Sequence, residues 1–112
     1  MHLEDKFGAS PLLAQFCVMG HGLDQPMLLT TLSELAAGMD REAVKTELEA
    51  LLDKVNAEVP PYERVAQIYI TPEWTIENAL LTPTMKLKRA QIEKSYREQI
   101  EQNLGGERVN FL

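Results

Sequence analysis

The chain has 112 residues, of which 45% are hydrophobic and 25% are charged, and it carries a net charge of −6. This length fits one domain with a modest core, and no apolar run approaches the roughly 20 residues of a membrane span. The first ten residues lack the apolar core of a signal peptide, and the single cysteine cannot form an internal disulfide. Composition and charge therefore argue against a membrane-spanning protein, a disulfide scaffold and a general nucleic-acid binder. We expect a cytoplasmic protein.

The first third of the chain predicts a short helix followed by a β-hairpin. Residues 2–9 (HLEDKFGA) are typical of a charged helical turn. An apolar run at about 12–19 predicts a largely buried strand, and residues 27–32 (MLLTTL), with two β-branched threonines, predict a second strand. Residues 20–25 contain two glycines, so a hairpin turn is the simple connection between the strands.

A long helix and a third strand follow. Asp40 is the predicted N-cap of a helix that runs to about Val55. Its apolar residues recur at helical spacing on one face: Val44, Leu48, Leu51, Leu52 and Val55. Pro60 and Pro61 end the helix, because proline cannot continue it. The β-branched and aromatic residues of 64–71 then predict the third strand.

The remainder predicts an irregular segment, residues 72–83, and a last helix from about 89 to 103. The apolar residues of this helix recur at every fourth position: Ile92, Tyr96, Ile100 and Leu104. A Gly-Gly pair stops the helix, so we assign 1–104 to one domain and 105–112 to a C-terminal tail. The element order predicts a small α+β fold in which helices pack against a three-stranded sheet.

Two classes of site are disfavoured by the residues present. His2, His21 and Cys17 are the only imidazole or thiol ligands in the chain. Cys17 falls in a buried strand, where desolvation raises the pKa of its thiol and makes it unreactive. The chain also lacks a nucleophile elbow, a P-loop and a dinucleotide-binding glycine motif. We therefore predict neither a metal site nor a complete active site.

Positive charge is concentrated near the C-terminus. Residues 1–83 carry five Lys or Arg against thirteen Asp or Glu, whereas 84–112 carry six against four. Lys94 and Arg97 fit the solvated face of an amphipathic helix. Lys86 differs, because it follows Thr-Pro-Thr, where proline restricts the backbone and two hydroxyls can brace the turn. Such a lysine suits a phosphate or a carboxylate, although from spacing alone a solvated surface lysine is an equal alternative.

Residues 77–89, ENALLTPTMKLKR, resemble a known segment close to E-N-G-L-L-T-P-T-x-K-L-K-R. That segment belongs to the C-terminal lid domain of the AMP-forming acyl-CoA synthetases, in the long-chain fatty acid CoA ligase branch. Residues 2–22 are similar to the family's I-E-x-x-…-S-P-x-I-x-Q-x-x-V-x-G-x-G segment, and the resemblance excludes the tail. Ala79 stands where the family has glycine, and this substitution alters the loop backbone if the position needs a positive φ.

The resemblance implies roles for individual residues of this segment. Lys86 matches the family lysine that reaches the adenylation site of a large N-terminal domain and contacts the substrate carboxylate and the α-phosphate. An ammonium group there offsets the repulsion between two anions as acyl-adenylate and pyrophosphate form. Thr82, Thr84 and Arg89 are predicted to lie near the substrate or its phosphate, with a structural role as the alternative for Arg89.

The resemblance also implies a larger enzyme. The fatty acid, ATP, Mg²⁺ and coenzyme A would be bound mainly by an N-terminal adenylation domain of the same chain. The lid would rotate between adenylation and thioester formation. Because the family's hinge and coenzyme A loop lie upstream, we expect an excised lid that is inactive alone. It would have no nucleic-acid partner and would reach a membrane only through the missing part.

Two alternatives stay open. The first is a lid from a fatty-acyl-AMP ligase or a carrier-loading relative that does not use coenzyme A. The second is a stand-alone interaction module whose basic helix docks an acidic partner or a nucleic-acid strand, against which the overall acidity argues.

Overall fold

The computed structural model describes residues 2–20 and 22–112, with only the backbone for His2. Its α-helices are α1 (His2–Phe7), α2 (Glu34–Ala37), α3 (Arg41–Ala57) and α4 (Arg89–Gln102). Its strands are β1 (Leu13–Met19), β2 (Met27–Leu32), β3 (Gln67–Ile70) and β4 (Val109–Phe111). The predicted α+β fold is confirmed. His21, assigned above to the hairpin turn, lies outside the described residues.

One four-stranded sheet, in the order β1-β2-β3-β4, organises these elements. β1 and β2 pair antiparallel as the predicted hairpin, whereas β3 is parallel to β2 and β4 is parallel to β3. The predicted count of three strands is therefore wrong. β4 lies in the segment assigned to the tail, and three residues are too few to show a strand period. Its pairing with β3 and the burial of Val109 place it in the sheet.

β3 is shorter than the predicted 64–71. The side-chain amide of Asn56 binds both backbone groups of Val65, accepting from its N–H and donating to its carbonyl at 2.9 Å each. Ladder pairing with β2 consequently begins only at Gln67.

Alternate residues of the strands pack into two hydrophobic cores, one on each face of the sheet. In β2, Leu28 joins the first core and Leu29 the second, and in β3 Ile68 and Tyr69 divide in the same way. The first core holds the apolar residues of α1, α2 and α3, and the second holds those of α4 and of residues 74–81. Because both faces are covered, β2 and β3 are buried along almost their whole length.

The two long helices begin and end close to their predicted limits. Asp40 occupies the N-cap position of α3, although its side chain makes no capping hydrogen bond. α4 buries Ile92 and Ile100 in the second core. Leu104, placed above in the same apolar stripe, is instead 46% exposed, because α4 ends at Gln102.

Candidate functional site: the Lys86 hairpin

A tight hairpin at the surface carries Lys86. Leu81 and Leu87 form an antiparallel bridge, and Thr82 N donates to Lys86 O at 2.8 Å to close the turn. Met85 N donates to Thr82 O at 2.8 Å, and Met85 has a φ of 65°. A turn followed by one residue in the left-handed region is a common three-residue hairpin loop. Lys86 is therefore the first residue of the returning arm.

The Thr82 hydroxyl braces this turn. Its Oγ1 accepts a hydrogen bond from Lys86 N at 3.0 Å and lies 3.1 Å from the Oγ1 of Thr84. The bracing predicted from the Thr-Pro-Thr sequence is thus confirmed. Because Thr82 binds both the N–H and the C=O of Lys86, the backbone of the lysine is held while its side chain can reach outward. Contact of Thr82 or Thr84 with a substrate stays a prediction.

The Lys86 side chain is exposed and displays its charge to solvent. Across residues 2–20 and 22–112, no side chain forms an ion pair or a hydrogen bond with its ammonium group. By contrast, Lys6 is paired with Glu58 at 2.8 Å. An ammonium group without an internal partner can bind an anion from outside the chain without breaking an existing contact.

A buried tryptophan anchors the chain ahead of the hairpin. Trp74 is 1% exposed, and its indole Nε1 donates to Thr71 Oγ1 at 2.8 Å. The side-chain amide of Gln15, in β1, binds the Trp74 backbone twice: Nε2 donates to Trp74 O at 2.9 Å, and Trp74 N donates to Oε1 at 3.0 Å. These contacts attach the irregular segment to the sheet.

Asn78 shapes the next turn. Its Oδ1 accepts from Thr75 N at 2.9 Å, its own N–H donates to Thr75 Oγ1 at 3.0 Å, and its Nδ2 donates to Glu73 O at 2.9 Å. The following residue, Ala79, has a φ of 65°. The position where the related segment has glycine therefore adopts a backbone conformation that glycine favours.

Arg89 makes an ion pair with α1. Its two terminal guanidinium nitrogens donate to the two carboxylate oxygens of Glu4 at 2.5 and 2.7 Å. Burial alone would raise the pKa of Glu4, but the hydrogen bonds from Arg89 and from Val18 N outweigh it and lower the pKa. The same pair raises the pKa of Arg89. The structural role that the sequence allows for Arg89 thus has a specific partner.

The thiol of Cys17 is buried in the second core. Burial raises its pKa to about 11, so at neutral pH it is a neutral thiol, in keeping with the prediction that it is unreactive. In the part of the chain that the structure describes, no group of three or more His, Cys, Asp or Glu side chains forms a potential metal site.

Three positions that hold the hairpin were not singled out from the sequence: Glu4, Gln15 and Asn78. The Thr75–Asn78 spacing is local and typical of a side-chain-stabilised turn, so this signal could have been recognised. Glu4 and Gln15 act on residues 85 and 59 positions away, and no local pattern reveals contacts of that kind.

Comparison with known protein families places this chain. Residues 1–105 match the family described as AMP-binding enzyme C-terminal domain. The chain belongs to that family. Such domains are parts of adenylate-forming enzymes, so the resemblance carried by ENALLTPTMKLKR is confirmed at the level of the domain. β4 lies just beyond the matched residues.

Relatives of two kinds are similar to this AMP-binding C-terminal domain. The carboxylic acid reductase of Mycobacterium marinum is 35% identical over 105 residues, which cover 89% of this chain and 9% of the relative. The long-chain-fatty-acid–CoA ligase 5 of Mus musculus is 40% identical over 63 residues, which cover 54% of this chain and 9% of the relative. The chain spans about a tenth of the length of these curated relatives.

A solved structure agrees with this placement. The A-PCP didomain of carboxylic acid reductase from Segniliparus rugosus, in complex with AMP, aligns with a TM-score of 0.75 and 30% identity. The alignment covers 93% of this domain and 15% of that chain.

Proposed function

We propose that this domain closes over the adenylation site of a larger domain in the same enzyme and delivers Lys86 to the reacting groups. The observation that carries the proposal is the Lys86 hairpin itself, in which a braced backbone displays an ammonium group that no acid among the described residues neutralises. Unlike Lys6, which is paired with Glu58, Lys86 therefore takes part in no ion pair among the described residues.

The chemistry requires such a cation. An oxygen of the substrate carboxylate attacks the α-phosphorus of ATP, the bond to the bridging oxygen breaks, and pyrophosphate leaves as acyl-adenylate forms. The approaching carboxylate and the triphosphate are both anions, so they repel each other. The Lys86 ammonium group would lie between them and stabilise the charge that develops on the phosphoryl oxygens in the transition state.

We infer from the LLTPTMKLKR segment that the acyl group is passed to coenzyme A, as expected for a long-chain fatty acid CoA ligase. A second candidate is an activating domain of the carboxylic acid reductase kind, since the solved structure that aligns with 93% of this chain at 30% identity is of that kind. The extent of sequence similarity does not separate the two candidates, because a reductase match covers 89% of the chain and an acyl-CoA ligase match covers 86%. Acyl-CoA formation from fatty acid, ATP and coenzyme A would support the first candidate, and adenylate formation without consumption of coenzyme A the second.

Within the described residues no helix is long and apolar enough to cross a membrane. The cytoplasmic location stays a prediction, as does peripheral membrane contact through another part of the enzyme.

The role of Lys86 is tested in the enzyme that carries this domain. Replacing Lys86 with alanine removes the cation that stabilises the transition state, so the rate of acyl-adenylate formation, measured by ATP–pyrophosphate exchange, should fall about 10²–10³-fold. The reaction of supplied acyl-adenylate with the acceptor should change much less, because that step no longer joins two anions.

Lys94→Ala serves as the matched control, since Lys94 is an exposed lysine of α4. Its loss should leave both half-reactions within about twofold of the parent enzyme, as for a solvated surface charge. An equal loss of both half-reactions in Lys86→Ala would contradict the role proposed for Lys86.

A further inference from the structure

The Glu4 carboxylate joins three separate parts of the molecule. It accepts hydrogen bonds from both terminal nitrogens of Arg89, at the start of α4. It also accepts a hydrogen bond from the N–H of Val18, in β1, at 3.0 Å. α1 packs in the first core and α4 in the second, so this contact crosses from one face of the sheet to the other. It does so around β1, which is an edge strand and would otherwise leave the Val18 N–H without a strand partner.

This pair differs from the surface ion pairs of the domain. The Glu4 side chain is only 10% exposed, whereas the acids in the Lys6–Glu58 and Lys45–Glu107 pairs are 47% and 69% exposed. Exposed pairs contribute little, because water screens them. A bidentate pair with a buried carboxylate fixes the orientation of the guanidinium as well as its charge.

The start of α4 has no side-chain cap of its own. Arg89 is the first residue of the helix, the preceding Lys88 gives no side-chain cap, and the first turn contains no acidic residue. A cation at a helix N-terminus is unfavourable in the field of the helix dipole. The Glu4 carboxylate neutralises it and supplies the negative charge that the first turn lacks.

Lys86 is mechanically continuous with this helix start. Lys88 N donates to Leu80 O at 3.0 Å, and the Leu81–Leu87 bridge closes the hairpin directly after it. Ile92, one turn into α4, is fully buried in the second core. A shift of Arg89 would therefore be transmitted to the base of the hairpin rather than absorbed by a flexible link.

We propose that Glu4 is a positioning residue for Lys86: by binding Arg89 across the edge of the sheet, it fixes the start of α4 and thereby the direction in which the hairpin presents the lysine. The proposal deepens the function proposed for Lys86 and rests on it. It also assigns Arg89 to positioning rather than to the substrate phosphate.

The structural half of the proposal is tested on the 112-residue chain by hydrogen exchange with mass spectrometry. Glu4→Gln keeps the size of the side chain and an oxygen for Val18 N but cannot accept both Arg89 nitrogens. Amide exchange across residues 80–92 should quicken about fivefold or more, with α3 unchanged, because only the start of α4 loses its support. Glu58→Gln, which breaks the other ion pair of α1, should leave 80–92 unchanged.

The functional half is tested in the enzyme that carries the domain. Glu4→Gln should lower kcat for acyl-adenylate formation about 10- to 100-fold, since a misplacement near 1 Å has effects of this size. The KM for ATP and the half-reaction from supplied acyl-adenylate should stay within twofold. Arg89→Lys keeps the charge but not the bidentate hydrogen bonding to Glu4. It should show the same pattern to a smaller extent.

Each outcome separates the two proposals. If Lys86→Ala abolishes adenylation while Glu4→Gln leaves kcat unchanged, the positioning role is overturned and the role of Lys86 stands. If Glu4→Gln quickens amide exchange in 80–92 but Lys86→Ala leaves adenylation intact, the Glu4–Arg89 pair does support the start of α4. The function proposed for Lys86 then fails, and the positioning role fails with it. Equal changes in 80–92 and α3 would show that Glu4 only stabilises the whole domain, which also overturns it.

Discussion

Ala79 occupies a backbone conformation that residues with a Cβ atom adopt only with strain. Its φ of 65° is supported by the turn around Asn78, whose side chain binds Glu73 O and Thr75 N before it and Leu80 N after it. Met85 has the same φ at the tip of the next turn. Both residues lie in the segment that leads to Lys86, so local strain is concentrated where the domain presents its lysine.

Replacing Ala79 with glycine should stabilise the domain. Ala79 is exposed, so no burial is lost, and glycine adopts a positive φ without the steric clash of a Cβ atom. We expect the free energy of unfolding, measured by urea denaturation, to rise by about 1 kcal/mol.

The control for this change is Ala50→Gly, at an exposed position inside α3. There glycine should lower the free energy of unfolding by about 1 kcal/mol, because it weakens a helix interior. A loss of stability in both variants would show that the strain at position 79 is negligible.

Among the secondary-structure elements, β4 forms one edge of the sheet. The opposite edge is β1, whose Gln15 binds Trp74 ahead of the Lys86 hairpin. β4 covers β3, which would otherwise be an edge strand, and it buries Val109 in the first core. The guanidinium of Arg41 also packs over the ring of Phe111, with its Cζ 4.8 Å from the ring centre. These contacts tie the C-terminal segment to both β3 and the start of α3.

Removal of residues 107–112 should destabilise the domain. Loss of the Val109 side chain from the core and exposure of the β3 edge should lower the free energy of unfolding by about 2–4 kcal/mol and promote association of the protein through the free strand. Urea denaturation and light scattering measure the two effects.

The combined variant Glu107→Gln and Arg108→Ala is the control for the truncation, because it removes the surface ion pairs of this segment and keeps β4. Glu107 pairs with Lys45 and Arg108 with Asp53, and the loss of such exposed pairs should lower the free energy of unfolding far less than the truncation does. If the truncation had an effect as small as this variant, residues 107–112 would contribute little to the fold, as for a segment that is only part of the C-terminal tail (105–112) assigned from the sequence.

For the molecule as a whole, the two cores support the hairpin, and the described residues display Lys86 at the surface. Lys86 is exposed on a hairpin rather than enclosed in a cleft. Nucleotide pockets surround most of their ligand, and one displayed ammonium group does not. In the function proposed above, the catalytic contribution of this domain would therefore depend on another domain that encloses the substrates.

The 112-residue chain should fold on its own but should not bind ATP at micromolar concentrations. Isothermal titration calorimetry with ATP measures this directly, with the same titration into the complete enzyme as the positive control. Micromolar binding by the domain alone would contradict the proposal that the nucleotide site belongs to the other domain.

Residue pattern alone determined a large part of this protein. The apolar periods of β1, β2, α3 and α4 are local, so they predict these elements and their approximate ends. The ENALLTPTMKLKR segment indicated the family, and the Thr-Pro-Thr turn before Lys86 indicated a braced loop, because proline and hydroxyl side chains act on their immediate neighbours.

Only the tertiary structure decided the remainder. The parallel pairing of β4 with β3, the grip of Gln15 on Trp74 and the Glu4–Arg89 pair join residues that are about 40 to 85 positions apart. Such contacts depend on how two helical layers pack on the sheet and on which strand lies at its edge. Neither can be predicted from the periodicity of a local sequence pattern. The orientation of Lys86 is of this second kind, since a local turn displays the lysine and a distant carboxylate supports the helix that follows it.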